Sequence, residues 1–340
     1  MKTEKHVGSN LPEIKDTPLK LGEEKKPPDE EQVIGGIVKL QTDIMRATNP
    51  HLRGQHPKAH GCVEAEFTVL SDIPKELKVG IFQYPRSYKA LIRFSNGKSA
   101  SDLDPDVHGM AIKVFGVEGK KALPDDVSDM QDFIFIDNEV FFASDAKILL
   151  GFMMARVAAQ KNPDAVKAFA EESEHNARTV ALVQKALKEK LPSPLAVPYW
   201  STVPYQYGDR AVKYSVKPVK SNQVATPEFS SENYLREAMI EHFTKQKKPA
   251  MFDFFVQMQT DAETMPVEDP TVAWTSPEIK VATIQIAPQD FDTPERKKLC
   301  EESSFSPWHA LDVHRPLGGI NRARRVVYEA SSALRHQQTP

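Results

Sequence analysis

The sequence has only two cysteines in 340 residues. Cys62 and Cys300 are too few for a disulfide framework, and their separation fits no zinc knuckle. It has no long apolar run: the longest fall far below the ~18 residues of a membrane span. Neither sign of charge is in excess, with 44 Lys and Arg against 47 Asp and Glu. A nucleic-acid or acidic-membrane partner would call for a basic surplus, so none is expected. The first residues (MKTEKHVGSNLPEIKD) start positive but carry no apolar core, so they are not read as a secretory signal. A cytoplasmic globular protein is the expectation. Also missing are a glycine-rich phosphate loop after a strand, a G-x-S-x-G nucleophile elbow, internal repeats and low-complexity linkers.

At roughly 150 residues per domain, the length allows one large domain or two ordinary ones. Residues 1–30 are charged and poor in large apolar side chains, which reads as a flexible N-terminal tail. From Asp29 to about Ala47, the residues Val33, Ile37, Leu40, Ile44 and Met45 share a helical face, with Asp29 as N-cap. Gly35 and Gly36 in mid-helix cost about 1 kcal/mol each against alanine, which points to a close packing partner. Between 62 and 142 the apolar period becomes 2, in segments that include KALIRFSN, GMAIKVFGV and DFIFIDNEVFF. Further strand-like segments lie at 211–219, 252–260 and 278–286. Helical blocks occupy 145–191, broken near Asn162-Pro163, and 231–247. The pattern predicts an α+β fold built on an antiparallel β-barrel with helical insertions, with 31–340 as one domain.

Ten histidines raise the question of a metal. His56 and His60 stand four apart, but Pro57 occupies the position where a zinc-peptidase helix carries its glutamate, and a strand follows. His309 and His314 lie in a proline-containing loop without a partner at ligand spacing. His108 sits in a strand, where an ordinary packed role suffices.

The C-terminal helix, 320–336, is more informative. At 100° per residue, Arg324, Tyr328 and Arg335 stand in one column. An amphipathic helix whose tyrosine packs while its arginines snorkel accounts for the column. So does a tyrosinate held by a neighbouring guanidinium. A tyrosine ordinarily titrates near 10, so ionising one at neutral pH costs about 4 kcal/mol. A ferric ion and an arginine together can supply that.

Arg-x-x-x-Tyr on a late helix resembles the proximal segment of the haem catalases, and other stretches are similar to the family in its own order. RGQH at 53–56, followed by Lys58 and Gly61, resembles Arg-x-x-His-Ala-Lys-Gly. IRFSN at 92–96 resembles Val-Arg-Phe-Ser, and DVHGMAIKVF at 106–115 resembles Asp-x-x-Gly-Phe-Ala-x-Lys-Phe. NEVFF at 138–142, FVQMQTDAETMP and FSPWHA are similar to later pieces. The resemblance implies an eight-stranded antiparallel catalase barrel with a C-terminal proximal helix and bound haem b. It implies Tyr328 as the axial iron ligand, with Arg324 at its phenolate. His56 is implied as the distal acid/base, oriented by Ser95. Arg53, Arg93 and Arg335 are implied partners of the two haem propionates. Asn138 is implied to hydrogen-bond peroxide, and Phe141 to line the distal face. A base that takes the hydroperoxide proton and returns it to the leaving oxygen suits O–O cleavage, and an anionic axial ligand favours high-valent iron.

The departures from the family pattern bear on the reaction. HPKAHG is two residues longer than the family segment, which leaves His60 as a competitor for the distal role. Gln55 precedes the distal histidine where catalases carry valine. Strict counting back from Phe141 puts the catalytic amide at Ile136, so Asn138 needs a local shift. Few residues follow Tyr328, in contrast to the longer peroxide-dismuting members. The expectation is therefore a short catalase-related peroxidase that reduces or rearranges organic hydroperoxides, fatty-acid hydroperoxides among them, with a small reductant. The alternatives are a hydrogen-peroxide-dismuting catalase and a non-catalytic haem-binding protein. A homodimer is left open.

Overall fold

The computed structural model describes residues 20–47, 52–188, 190–222 and 224–337. Residues 1–19, most of the expected tail, lie outside the described residues. Residues 20–29 are held against the body of the protein. Glu24 accepts from Arg315, Arg322 and the Gly318 amide.

Seven strands carry most of the barrel: β1 (Ala59–Val69), β2 (Ser87–Asn96), β3 (His108–Phe115), β4 (Met130–Ile136), β7 (Arg210–Pro218), β8 (Ala250–Met258) and β9 (Glu278–Ile286). The short β5 (Tyr199–Trp200) pairs with both β4 and β7 and closes an antiparallel ring of eight. β6 (Tyr205–Tyr207) is a ninth strand that adds to β7 outside the ring. Strand alternation turns Ile92, Phe94, Ile112, Phe133 and Phe254 into one apolar core. The lumen is packed with rings: Phe133 and Phe254 lie 5.0 Å apart and Phe67 and Phe254 5.3 Å, both edge-on.

The expected strand at DFIFIDNEVFF ends early, at Ile136. Asp137 takes the His108 backbone N–H on one oxygen and His108 Nδ1 on the other, at 2.8 and 2.9 Å, and the chain leaves the sheet there.

Helix α1 (Glu30–Arg46) packs on α2 (Ala146–Ala158) and on α7 (Gly319–His336). Its buried stripe is Ile34, Ile37, Gln41 and Met45, rotated from the expected face, and Ile44 is exposed. The polar Gln41 belongs to the stripe because it lies over the site and accepts a hydrogen bond from Gln55. Asp29 occupies the N-cap position without a side-chain cap bond. Gly36 meets the predicted close neighbour, since an added Cβ would come 2.8 Å from Leu150 Cδ2; Gly35 has none. The 145–191 block forms α2, α3 (Ala165–Glu171) and α4 (Glu174–Ala186). The second block forms α5 (Tyr234–Ile240) and a π-helical turn at Glu241–Lys245.

Helix α6 (Pro294–Glu302) is tied to β1 by a disulfide between Cys62 and Cys300, a single cross-link where the sequence offered no framework. Helix α7 is fixed at its start by Arg322, which pairs with Glu24, Glu30 and Glu268. Trp308 Nε1 also donates to Asn321 O at 2.7 Å.

Candidate functional site

The ladder through β2, β3 and β4 sets Ser95 beside Gly109 and Gly109 beside Ile136; one step on, Arg93 faces Ala111 and Ala111 faces Ile134. These positions alternate with core residues and therefore share the outer face of the barrel. Two cavities lie between that face and the helices, of about 400 and 210 Å³. The larger falls within the usual range of small-molecule sites. Gln41, Gln55, His56, Val327 and Tyr328 border both.

His56 stands at the junction in a left-handed backbone conformation (φ 55°), held where its N–H donates to Gly97 O at 2.9 Å. A non-glycine residue in that region is uncommon and costs backbone energy. The imidazole Nδ1 lies 3.1 Å from Ser95 Oγ. The ring lies against Gly109, where an added Cβ would come 2.6 Å from Nδ1. Burial, reinforced by the Arg93 charge, lowers the His56 pKa to about 4, so the ring is neutral at pH 7. The competing His60 is fully buried, with Nε2 2.8 Å from Asn96 Oδ1, and borders neither cavity.

Three arginines converge on the larger cavity. Arg93 on β2 is buried and donates to His56 O at 2.9 Å, while its Nε has no partner. Arg53 pairs with Glu301 at 2.5 Å and donates to Cys300 O and Ser303 O, each at 2.8 Å. Arg335 on α7 makes only long contacts, 3.4 Å to Ser304 Oγ and 3.5 Å to Ser303 O. Burial and the neighbouring Arg53 push Arg93 down to about 9 and Arg335 to about 10, and both stay charged at pH 7. Glu301 offsets one of the three charges. Glu329 also borders the cavity but lies 3.7 Å from Arg325. A buried donor without an acceptor and two uncompensated cations describe a seat for a dianion.

On α7, Arg324 and Tyr328 both face the smaller cavity, and Tyr328 and Arg335 both face the larger, as the column predicted. The Arg324 guanidinium lies 5.5 Å from the centroid of the Phe141 ring and 3.5 Å from Asn321 Oδ1. Phe141 stacks on Phe142 with centroids 4.4 Å apart. Asn138 and Ile136 both line the smaller cavity. The Asn138 Nδ2 donates to Val140 O at 2.7 Å, which ties the amide to its own loop. Among the described residues, no group of three His, Cys, Asp or Glu is placed to hold a metal ion.

No protein-family model matches the sequence, and no curated protein matches it at a significant level. Solved structures match it in shape. A bacterial catalase covers 92% of this chain with a TM-score of 0.63 at 18% identity. A fungal catalase covers 96% with a TM-score of 0.66, also at 18%. The fold is that of the catalases. Catalase A from Saccharomyces cerevisiae matches as well, over 96% of this chain at TM-score 0.65 and 16% identity. The chain spans 62% of the bacterial catalase's length, 66% of the fungal one and 68% of the yeast one. The catalase fold thus accounts for the ring of eight strands.

Several residues that border the cavities were not assigned to a site from the sequence. Gln41 reaches the site from a helix distant in sequence, and its buried Nε2 has no partner. His309 borders the larger cavity with Nδ1 2.9 Å from the buried Asp132, which also pairs with Lys113. Lys98 and Arg156 border the smaller cavity.

Proposed function

We propose that this protein is a haem peroxidase of the catalase fold that reduces organic hydroperoxides. The observation that carries the reading is the pairing of a neutral His56 with Tyr328 around a cavity seated by three arginines, one with a buried, unpartnered Nε. The residues fit haem b. Two propionates match the two cationic charges that Glu301 leaves uncompensated, Tyr328 offers a phenolic oxygen for iron, and Gly109 leaves His56 room against the barrel wall. Bound there, haem supplies a redox-active Lewis acid that weakens the O–O bond.

The chain's own part is proton handling and positioning. In the tautomer that donates from Nδ1 to Ser95 Oγ, 3.1 Å away, His56 keeps the Nε2 lone pair free to take the hydroperoxide proton. The same nitrogen then returns it to the leaving oxygen, which departs as an alcohol. Two electrons and two protons, one of each from each of two molecules of a small reductant such as a phenol, release the second oxygen as water. The reading favours organic over hydrogen peroxide because the smaller cavity leads to His56 along an apolar wall.

The test is reconstitution with haem, followed by turnover of cumene hydroperoxide and of hydrogen peroxide, each with a phenolic donor. Faster reduction of the organic hydroperoxide, together with loss of haem in Tyr328→Phe, is expected. Rapid oxygen evolution from hydrogen peroxide alone would make the protein a dismuting catalase instead. Haem bound without either turnover would make it a non-catalytic haem protein.

A further inference from the structure

Two imidazoles border the larger cavity, His56 and His309. Both are tied at Nδ1, His56 to Ser95 and His309 to Asp132, the latter at 2.9 Å. A carboxylate only accepts, so the His309 proton sits on Nδ1 and the Nε2 lone pair is left over. Among the described residues that nitrogen has no hydrogen-bond partner. Asp132 is fully buried on β4, where both of its oxygens accept from Lys113 Nζ at 2.8 Å and one accepts from the Ser306 amide at 3.0 Å. Its backbone N–H donates to His309 O at 2.7 Å, so one residue fixes both the ring and the main chain of His309.

From Arg93 on β2 the wall crosses Ala111 on β3 to Ile134 on β4, and Asp132 lies two residues away along β4 on the same face. At ~4.8 Å per strand, the β4 side of the wall stands about 10 Å from Arg93. The charges there are Asp132, Lys113 on β3, and Lys121 and Asp126 on the loop between β3 and β4, with Asp126 near enough to interact with His309. Two acids against two lysines leave this end near neutrality, in contrast to the arginine seat. Leu123 and Phe305 border the cavity as well. The Ala122 amide donates to Ala310 O at 2.9 Å, which brings the Leu123 loop to His309, and Lys113 Nζ lies 5.3 Å from the centroid of the Phe305 ring. Apolar surface around a single oriented proton acceptor complements a phenol, a flat ring with one acidic O–H.

We propose that the larger cavity binds the phenolic reductant beside the arginine seat, with its hydroxyl on His309 Nε2 and its ring against Leu123, Ile134 and Phe305, and that His309 is the base for its oxidation. The proposal rests on the reading of the protein as a hydroperoxide-reducing peroxidase, and it adds a second proton-handling residue for the other half of the reaction. Each phenol loses its O–H proton to Nε2 and one electron to the oxidised centre, and leaves as a phenoxyl radical. Nε2 gives up the first proton before the second phenol binds. Two phenols thus supply the two electrons and two protons with which the second oxygen leaves as water.

The experiment has a binding arm and a kinetic arm. Equilibrium dialysis of the purified protein, haem-free and haem-loaded, compares 4-nitrophenol with 4-nitroanisole, which lacks the O–H. The phenol is expected to bind wild type about tenfold more tightly than the ether, the strength of one buried hydrogen bond, and His309→Leu is expected to lose that preference. In the kinetic arm the haem-loaded protein reduces cumene hydroperoxide with guaiacol, which gives an electron and a proton, or with ferrocyanide, which gives an electron alone. In His309→Gln, kcat/KM for guaiacol is expected to fall about a hundredfold, the usual effect of losing a general base, while kcat/KM for ferrocyanide and for the hydroperoxide stay unchanged. An equal loss with both donors assigns His309 to the fold and overturns the proposal. Undiminished guaiacol turnover, equal binding of phenol and ether to wild type, or an unchanged preference in His309→Leu also overturns it. Failure of the hydroperoxidase reading shows separately, as absence of turnover with either donor in wild type, and the dialysis still decides whether His309 holds a phenol.

Discussion

The imidazole Nδ1 of His56 lies 3.1 Å from the Ser95 hydroxyl. A Cβ at Gly109 would sit 2.6 Å from that nitrogen and 2.9 Å from the hydroxyl oxygen. A left-handed residue, a strand serine and a missing side chain on the next strand thus set one ring orientation. Ser95→Ala is expected to keep haem and lower hydroperoxide turnover about tenfold, the usual effect of losing a group that fixes a histidine's tautomer. Gly109→Ala displaces the ring itself and is expected to cost more. Haem content by absorbance, measured beside turnover, separates loss of orientation from loss of the cofactor.

The pH dependence follows from the same ring. As the proposed base, His56 would be active when neutral, and burial lowers its pKa to about 4. The acid limb of kcat/KM for hydroperoxide reduction is therefore expected near pH 4 rather than near the ordinary histidine value of ~6.5. A limb near 6.5 would show that the ring is solvated in the working protein.

Stability has its own acid dependence. His314 is likewise pushed down to about 4 by burial, and His60 well below its ordinary value. Between ~6.5 and 4 the unfolded chain takes up these protons and the folded chain does not, so stability is complete above ~6.5 and falls as the pH is lowered. Urea midpoints at pH 7, 6, 5 and 4 are expected to decline in that order. His314→Gln should flatten the decline. An unaltered slope in that variant would mean that His314 is protonated while folded.

The barrel was legible because strands buried on one face write a period of 2 into the sequence, and β1, β2, β3, β7, β8 and β9 lie within a few residues of where that period places them. β5, two residues long, is too short to leave a pattern, yet it closes the ring. The helical column of Arg324, Tyr328 and Arg335 was legible for the same reason, since 100° per residue puts them together whatever lies opposite. What lies opposite was not. Gln41 is buried through a contact with Gln55 and not through hydrophobicity, so it turned the buried face of α1 away from the expected one. Which of His56 and His60 borders the cavity needed coordinates, because the His60 ring is turned to Asn96 by contacts far along the chain.

The arginine seat predicts opposite outcomes for folding and for cofactor binding. Arg335 gives the protein only two long hydrogen bonds and stands beside Arg53. Arg335→Gln should leave the melting temperature of the haem-free protein unchanged or slightly raised. Haem affinity should fall by one to two orders of magnitude, the loss of one charge-assisted hydrogen bond to an anion. A large drop in melting temperature would assign Arg335 to the fold and not to the seat.

The Cys62–Cys300 cross-link closes a separation of 238 residues and lies directly behind that seat. Cys300 O, the Glu301 carboxylate and Ser303 O are the acceptors that hold Arg53, and all lie at the end of α6 that the disulfide fastens to β1. Protein purified without reductant is expected to show no free thiol after denaturation. Reduction, or the C62A/C300A variant, is expected to lower stability by about 2–5 kcal/mol, because the open chain regains loop entropy on unfolding. It should also loosen α6 and so weaken haem retention, although neither cysteine borders the cavity. Thiol titration, urea unfolding and haem-transfer rates to apomyoglobin measure the three effects. Loss of stability with unchanged haem transfer would confine the disulfide to holding the fold.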